Sequence, residues 1–174
     1  MQFKDALSKR NKEETGIRYE WYALQRCAAT YYPEFEKEKV VFKAVGKNLT
    51  FSLVEPGTMI SAPASFMTSN FNKYIIGFLC SSFTFYFVLN NADKTGAGDV
   101  MLNVQSFEKI PVPPISQSND SIVKQIEALV DIILAAKKQN PQADTSEWEN
   151  EIDKLVYRLY DLTEEEVKII EGGR

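Results

Sequence analysis

The chain has 174 residues, of which 44% are hydrophobic and 25% charged, and these proportions predict a folded domain and exclude general disorder. Its net charge of −4 is unevenly placed, because residues 1–115 carry a small excess of lysine and arginine whereas residues 116–174 are acidic. A surface for nucleic acid is therefore expected only on the first part of the chain.

The chain contains no histidine, which excludes the Ser-His-Asp and Cys-His catalytic arrangements and the usual zinc ligand sets. Cys27 and Cys80 lie far apart in apolar surroundings, so we expect reduced, buried thiols in a cytoplasmic protein. The N-terminus lacks the apolar core of a signal peptide, and its polar lead over residues 1–17 is typical of a fragment cut from a longer protein.

Residues 18–32 combine aromatic and basic side chains in one short segment. Within it, Trp21, Leu24 and Ala28 share one face at helical spacing. This spacing favours a short helix, while a strand that ends in a turn fits the same composition.

The sequence takes on the pattern of β-strands from residue 39 onward. Runs rich in β-branched and aromatic residues flank a Gly-Lys-Asn turn at residues 46–48, as in a hairpin. A Pro-Gly pair at residues 56–57 marks a second turn before another β-like run. We therefore expect a small β-meander of about three strands.

The most apolar stretch covers residues 71–91 and follows Ser69, a candidate helix N-cap. Because no charged residue lies between Lys73 and Asp93, a membrane-spanning helix is one interpretation. Small and polar residues dilute the stretch, however, and no cluster of lysine and arginine flanks it. We expect a helix that is buried in the domain core, either alone or running into a strand.

A polar loop with two glycines follows at residues 93–99, and its backbone could approach a phosphate or simply form a flexible turn. After it, Val100, Leu102 and Val104 alternate as in a strand that ends near Phe107 and Ile110. The prolines at positions 111, 113 and 114 interrupt regular structure. We therefore place a boundary after residue 115.

Two amphipathic helices and a short terminal helix are predicted beyond this boundary. The two apolar faces consist of Ile122, Ile126, Leu129, Val130, Ile133 and Leu134, and of Trp148, Ile152, Leu155, Val156, Leu159 and Tyr160. Because the connection between them is short and breaks helices, we expect an antiparallel helical hairpin. Thr163 and Glu166 form the capping-box pattern of the final helix.

The sequence contains no recognisable catalytic or cofactor motif. It lacks the Asn/Asp-Pro-Pro-aromatic signature and the glycine-rich loop of an amino-group DNA methyltransferase, and it lacks the glycine motifs that bind phosphates or dinucleotides. Asp93 and Asp99 flank a loop, but two carboxylates are weak grounds for a cation site. We therefore predict no catalytic residue, no metal site and no cofactor in this chain.

The remaining chemistry is that of nucleic-acid recognition, since basic groups neutralise phosphates and arginine or asparagine side chains read base edges. The same composition also suits an ordinary solvated surface over a tyrosine-rich core. The candidate DNA-binding residues are Arg18, Tyr19, Tyr22, Arg26, Lys37, Lys39, Lys43, Lys47, Asn48 and Lys94.

Five short motifs follow one another in an order that is typical of one family. They are WYALQR at residues 21–26, KVV at 39–41, YIIGFLCS at 74–81, FEKIPVP at 107–113 and VYRLYDLTEEE at 156–166. In these motifs the chain resembles the TaqI-like C-terminal specificity domain of type II restriction-modification enzymes. The segment Leu79-Cys80-Ser81 departs from the Leu-Asn-Ser that is frequent in the family. The proline-rich exit followed by paired helices is also similar to the specificity subunits of type I systems.

The resemblance implies a mixed α+β target-recognition body at residues 18–115 and a helical tail at residues 116–174. It implies that the chain is not itself an enzyme and that its partners are double-stranded DNA and the methyltransferase domain of the same polypeptide. That other part would bind S-adenosylmethionine, and Mg²⁺ if the parent enzyme also cleaves DNA. As an isolated fragment the chain is expected to be a cytoplasmic monomer without membrane contact.

A second hypothesis is a protein-interaction or assembly module that has no role with nucleic acid. The helical hairpin would be its contact surface, and the acidic balance of the chain favours this hypothesis slightly. The salt dependence of DNA binding distinguishes the two, because phosphate contacts impose a steep dependence and an assembly module shows none.

Overall fold

A computed structural model describes residues 4–9 and 29–172 of the chain. The chain divides into two compact units, Met1–Glu34 and Phe35–Arg174. Helix α1 (Lys4–Lys9) belongs to the first unit, and a 3₁₀ helix (Ala29–Glu36) spans the division. The segment with Trp21, Leu24 and Ala28, for which we predicted a helix or a strand-to-turn element, lies outside the described residues, as does Cys27.

The second unit combines small antiparallel sheets with helices, which confirms the predicted mixed α+β fold. Its strands are β1 (Lys39–Lys43), β2 (Val45–Gly46), β3 (Phe51–Val54), β4 (Ala64–Met67) and β5 (Val100–Met101). Its helices are α2 (Asn72–Leu79), α3 (Ser82–Asn91), α4 (Val104–Phe107), α5 (Asp120–Gln139), α6 (Ser146–Leu159) and α7 (Glu164–Gly172).

The main sheet has the strand order β3-β1-β4. β1 and β3 form the predicted hairpin, with Val40 opposite Leu53 and Phe42 opposite Phe51. β4 pairs with the other edge of β1, so the meander order, in which each strand pairs with the next, is wrong. β1 takes the central position because Val40 and Phe42 are buried, and buried backbone groups need hydrogen-bond partners on both sides.

The strand predicted after residue 100 is much shorter than the alternation suggested. β5 pairs with β2 over two residues and then gives way to α4. Asn103 is the N-cap of α4, and its side-chain oxygen accepts a hydrogen bond from the Ser106 N–H at 2.9 Å. An asparagine cap thus ends the strand, because its side chain satisfies a backbone donor at the start of a helix.

The apolar stretch at residues 71–91 forms two helices rather than the single helix that we predicted. α2 ends before Cys80, and Ser81 is the N-cap of α3, with its hydroxyl oxygen accepting from the Thr84 N–H at 3.3 Å. The N-cap of α2 is Phe71 and not Ser69, the residue that we predicted. The Ser69 hydroxyl oxygen instead accepts a hydrogen bond from the Phe71 N–H at 3.1 Å. Within residues 4–9 and 29–172 no single helix is long and apolar enough to cross a bilayer, and α2 with α3 reaches that length only as a pair bent by 66°.

The helical segment after residue 115 packs on the elements before it, within the same compact unit. α5 and α6 pack against each other as the predicted hairpin, α5 also contacts α2, and α7 contacts α3. The capping box of α7 is confirmed, since the Glu166 carboxylate accepts from the Thr163 N–H at 2.8 Å and the Glu166 N–H donates to the Thr163 hydroxyl at 3.3 Å. The boundaries at residues 17 and 115 stay predictions.

α2 lies at the centre of the core, because it contacts β1, β3, α3, α5 and α6. Its Phe78 is completely buried, together with Val40 of β1, Ile126 of α5 and Val156 of α6. The proline-rich segment is fixed to this core by two tyrosines. Tyr74 donates to the carbonyl oxygen of Pro113 at 2.9 Å, and Tyr160 donates to that of Pro111.

Replacement of Tyr74 by phenylalanine is expected to make the free energy of unfolding less sensitive to alkaline pH. Burial raises the pKa of Tyr74 from 10.0 to about 12, so the folded chain keeps this hydroxyl protonated where the unfolded chain ionises it. The stability that this difference contributes is complete below pH 10 and is lost as the pH rises through about 12. Urea unfolding of both chains from neutral to alkaline pH measures the effect.

At neutral pH the Tyr74→Phe variant should be about 1 kcal/mol less stable, because the Pro113 carbonyl oxygen loses its donor. Burial also raises the pKa of Tyr160, so part of the alkaline sensitivity should remain in the variant. An equally steep loss of stability in both chains above pH 10 would contradict the assignment to Tyr74.

Candidate nucleic-acid interface

The predicted DNA-binding residues fall into three groups in the structure. Arg18, Tyr19, Tyr22 and Arg26 lie outside the described residues, so their roles stay predictions. Lys37 is exposed directly after the 3₁₀ helix. The remaining residues belong to β1 or to the loops around the small sheet of β2 and β5.

Lys39 is the predicted residue that the structure removes from the candidate surface. Its side chain is completely buried at the start of β1, and its Nζ donates to the carbonyl oxygen of Glu55 at 3.4 Å. A buried ammonium group does not reach a DNA phosphate in this conformation. The sequence did not reveal this, because lysine is almost never fully buried and was therefore assigned to the surface.

Four of the predicted residues meet at the small sheet. Gly46 of β2 pairs with Val100 of β5, and Val100 also forms a bridge with Lys94 on its other side. Gly46 and Lys94 therefore lie about 10 Å apart, since neighbouring strands are separated by about 4.8 Å. The side chain of Lys43 folds over Gly46, with its Nζ 3.3 Å from the position of a Cβ there. The predicted DNA-binding residues that are exposed in this region are Lys43, Lys47, Asn48 and Lys94, and we call them the lysine cluster.

The glycine-bearing loop next to Lys94 is a tight turn with an open tip. Gly98 has a φ of 84°, which favours glycine, and its N–H donates to the carbonyl oxygen of Thr95 at 2.8 Å. The Thr95 N–H in turn donates to the carbonyl oxygen of Asp99 at 2.8 Å. A Cβ at Gly96 or at Gly98 would meet no atom within 4 Å. The backbone at the tip is therefore accessible to a large ligand.

Two carboxylates share this region with the lysine cluster. Asp93 is exposed and precedes Lys94, while Asp99 is half-buried and its N–H donates to the Thr95 hydroxyl at 3.1 Å. Because three lysines (Lys43, Lys47 and Lys94) outnumber these two carboxylates by one, the region carries only a small net positive charge. Such a surface suits phosphate contacts at a few defined points better than strong non-specific attraction to DNA.

The part of the chain that the structure describes contains no group of side chains that could bind a metal ion. There, no three side chains of the types histidine, cysteine, aspartate and glutamate are grouped to hold an ion. The absence of catalytic, metal and cofactor residues from the chain stays a prediction, because this observation concerns only metal-binding groups within residues 4–9 and 29–172.

Two apolar cavities lie beside β3, and the sequence patterns did not predict them. The larger has a volume of about 450 Å³ and is lined by β3, α2, α5 and α6; the smaller, of about 230 Å³, lies between the start of β3, the end of α2 and α3. Phe51 and Cys80 line both. The spacing of Ile133 and Leu134 predicts an apolar helix face, and in the structure this part of the face forms a wall of the larger cavity.

Cys80 is a free thiol that lines both cavities, and as a residue it is exposed rather than buried as we predicted. Desolvation at its sulfur and, to a smaller extent, the nearby Glu149 carboxylate nevertheless raise the pKa of the thiol to about 12. The thiol is therefore protonated near neutral pH. A protonated thiol is a poor nucleophile, and in this structure Cys80 is part of the lining of both cavities.

No protein-family model matches the chain, and no curated protein is significantly similar to it. Its function is therefore inferred from the residues, their placement and the motifs that they form.

Proposed function

We propose that the chain is a non-catalytic DNA target-recognition module, namely the C-terminal specificity domain of a type II restriction-modification enzyme. In this proposal the methyltransferase domain of the same cytoplasmic polypeptide binds S-adenosylmethionine and transfers the methyl group. The chain supplies contacts to double-stranded DNA. The ordered motifs of the sequence and the placement of the lysine cluster support it.

The single observation that carries the proposal is the pairing of Gly46 and Lys94 with Val100. Through it, the backbone near Lys43 and Lys47 and the backbone of Lys94 flank the buried Val100, although they are about fifty positions apart in the chain. Lysines position a protein on DNA through phosphates, while the amide of Asn48 has the donor and the acceptor that can read an adenine edge. The open tip of the glycine loop allows the backbone to come close to the sugar-phosphate chain.

Of the motifs that carry the family resemblance, those at residues 39–41, 74–81, 107–113 and 156–166 are described by the structure and lie in the scaffold, which agrees with a family whose members read different sequences. Tyr74 of the third motif contacts Pro113 of the fourth, and Tyr160 of the fifth contacts Pro111. The rings of Phe78 and Tyr160 are also 6.2 Å apart. The third, fourth and fifth motifs thus meet in one packed region. The lysine cluster lies in loops that can vary, except for Lys43, which is the last residue of β1.

The chain is expected to bind duplex DNA with a marked salt dependence, and the triple variant Lys43→Ala, Lys47→Ala, Lys94→Ala should lose the part of it that the lysine cluster contributes. Each phosphate contact adds about −0.9 to the slope of log K against log salt concentration, so three contacts contribute roughly −3. Fluorescence anisotropy of a labelled duplex, titrated at several salt concentrations, measures the slope for both chains.

A matched control removes the same charge elsewhere. Lys124, Lys138 and Lys154 are exposed on α5 and α6, and replacing all three by alanine should leave the slope unchanged. Equal slopes for the two triple variants would contradict the assignment to the lysine cluster. Such a result would mean that the basic residues that contribute to DNA binding are distributed over the whole chain.

A second measurement tests the enzyme in which the chain would act. Deleting this segment from the full-length parent should abolish methylation at a specific DNA sequence in cells. An unchanged methylation pattern, together with DNA binding that does not depend on salt, would instead favour the assembly module with the helical hairpin as its contact surface.

A further inference from the structure

β3 is an edge strand of the three-stranded sheet. It pairs with β1 on one side, and among the elements that the structure describes no strand pairs with its other side. In an antiparallel sheet, every second residue of an edge strand directs its backbone N–H and C=O groups outward. Such an edge offers a row of donors and acceptors that a further strand can use.

The larger cavity lies between β3 and the helices α2, α5 and α6. Phe51, Ser52 and Leu53 all line the larger cavity, although successive side chains of a strand point to opposite faces. The cavity wall is therefore the edge of β3 together with one of its faces. Val130 of α5 and Ile152 of α6 lie across the cavity. This space is where the side chains of a fourth strand would lie.

The two cavities follow one another along β3. Residues 49–51 line the smaller cavity and residues 51–53 line the larger one, so their centres are displaced by two residues of the strand. Two residues of an extended chain span about 7 Å, which is also the distance between alternate side chains on one face. An extended peptide beside β3 would thus place one side chain in each cavity.

Glu149 is the charged residue in the lining of the larger cavity, and no lysine or arginine lines either one. Its Oε1 accepts a hydrogen bond from the Thr145 hydroxyl at 2.6 Å, which fixes the carboxylate at this position. Its charge also acts on the Cys80 thiol. A basic side chain next to the apolar ones would therefore complement the cavity.

We propose that the outer edge of β3 binds an extended segment of a partner protein as a fourth strand, with alternate apolar side chains in the two cavities and a basic side chain beside Glu149. Backbone hydrogen bonds to the edge supply affinity, and the cavities and the carboxylate supply specificity, as in other cases of strand addition. This surface is distinct from the lysine cluster and does not depend on DNA binding.

The test uses the full chain and a capped peptide that has leucine at two alternate positions, threonine between them and one lysine. We expect calorimetry to detect binding, and amide resonances of residues 49–54 to shift in nuclear magnetic resonance spectra. A peptide of the same composition with adjacent leucines should bind more weakly. Methylating the backbone nitrogens that face β3 should weaken binding roughly tenfold or more, because each lost hydrogen bond removes about 1 kcal/mol.

The carboxylate is tested with Glu149→Gln, which should weaken the lysine peptide roughly threefold and leave a peptide with norleucine in its place unchanged. Glu147→Gln, on the same helix but outside the cavity lining, is the matched control. Undiminished binding of the methylated peptide, no binding by any alternating peptide, or self-association of the chain through this edge would each overturn the proposal.

Discussion

The Gly77→Ala variant is expected to be about 2 kcal/mol less stable to unfolding than the parent chain, although alanine is the better helix former. A Cβ at residue 77 would lie 2.6 Å from Cγ2 of Ile126 and 3.0 Å from Cγ2 of Val130. Ile126, which would make the shorter of the two contacts, is completely buried, so its side chain cannot give way toward solvent. The close packing of α2 on α5 therefore requires glycine at this position.

Helix propensity acts in the opposite direction and is the weaker effect. Alanine is favoured over glycine by about 1 kcal/mol in a helix interior, whereas overpacking a core costs about 1–3 kcal/mol. Because 2.6 Å is well inside van der Waals contact, we expect a cost near the upper end of that range. The difference between the two effects leaves a net loss of about 2 kcal/mol.

Two further variants separate crowding from other effects of the substitution. Gly96→Ala is the matched control, since a Cβ there meets no atom within 4 Å and should change the stability by less than about 0.5 kcal/mol. In Ile126→Ala the space for the new methyl group is open, so Gly77→Ala should cost at least about 1 kcal/mol less in that background. Additive effects in urea unfolding would show that crowding against Ile126 is not the cause.

The parts of the fold that sequence patterns predicted correctly depend on interactions between near neighbours. The hairpin of β1 and β3 follows from a turn between two β-rich runs, and α5 and α6 follow from their apolar periodicity. The capping box of Thr163 and Glu166 requires only residues three positions apart. These signals are complete within a short window of sequence, so no knowledge of the tertiary structure is needed.

The errors occur where distant parts of the chain decide the outcome. β4 pairs with β1 because the buried central strand has a second edge to satisfy, which no local pattern reveals. The break between α2 and α3 at Ser81 has a local signal, a serine whose hydroxyl caps a helix, but the charge-free, mostly apolar stretch around it favoured one continuous helix. The structure also places Asp153 at the start of α3, although it lies 71 positions from Ser82, the first residue of that helix.

The sequence offered the members of the lysine cluster only as single candidates and not as a group. Lys43, Lys47 and Lys94 were chosen for their charge, and only the pairing around Val100 brings them to one region. The burial of Lys39 depends on packing that composition does not encode. The cavities beside β3 had no sequence signal, because residues that line a cavity have the same apolar spacing as residues that fill a core.

The Asp153→Ala variant should lose about 3 kcal/mol of unfolding free energy, the largest effect that we expect from a single side chain. Asp153 of α6 is buried, and its carboxylate accepts two hydrogen bonds from Ser82, the first residue of α3. The Ser82 N–H donates to Oδ1 at 2.7 Å, and the Ser82 hydroxyl donates to Oδ2. The N–H at this position has no partner within its own helix, so the carboxylate satisfies a donor that α3 leaves unpaired.

Truncation to alanine leaves both donors of Ser82 in a site that is 1% exposed, where water cannot replace the carboxylate. An unsatisfied buried donor costs about 1–3 kcal/mol, and the negative charge at the start of a helix contributes up to about 1 kcal/mol more. Asp153→Asn keeps the acceptor for the Ser82 N–H but loses the charge and the acceptor for the hydroxyl, so we expect a smaller loss of about 1–2 kcal/mol.

Glu151→Ala provides the control on the same helix. Glu151 forms an exposed ion pair with Lys154 at 3.0 Å, and its removal should cost less than about 0.5 kcal/mol. Ser82→Ala completes a double-mutant cycle with Asp153→Ala, in which the combined loss should be smaller than the sum of the single losses. If Asp153→Ala and Glu151→Ala had equal effects, the link between α6 and the start of α3 would not stabilise the fold, and the orientation of α3 would have to depend on its apolar contacts alone.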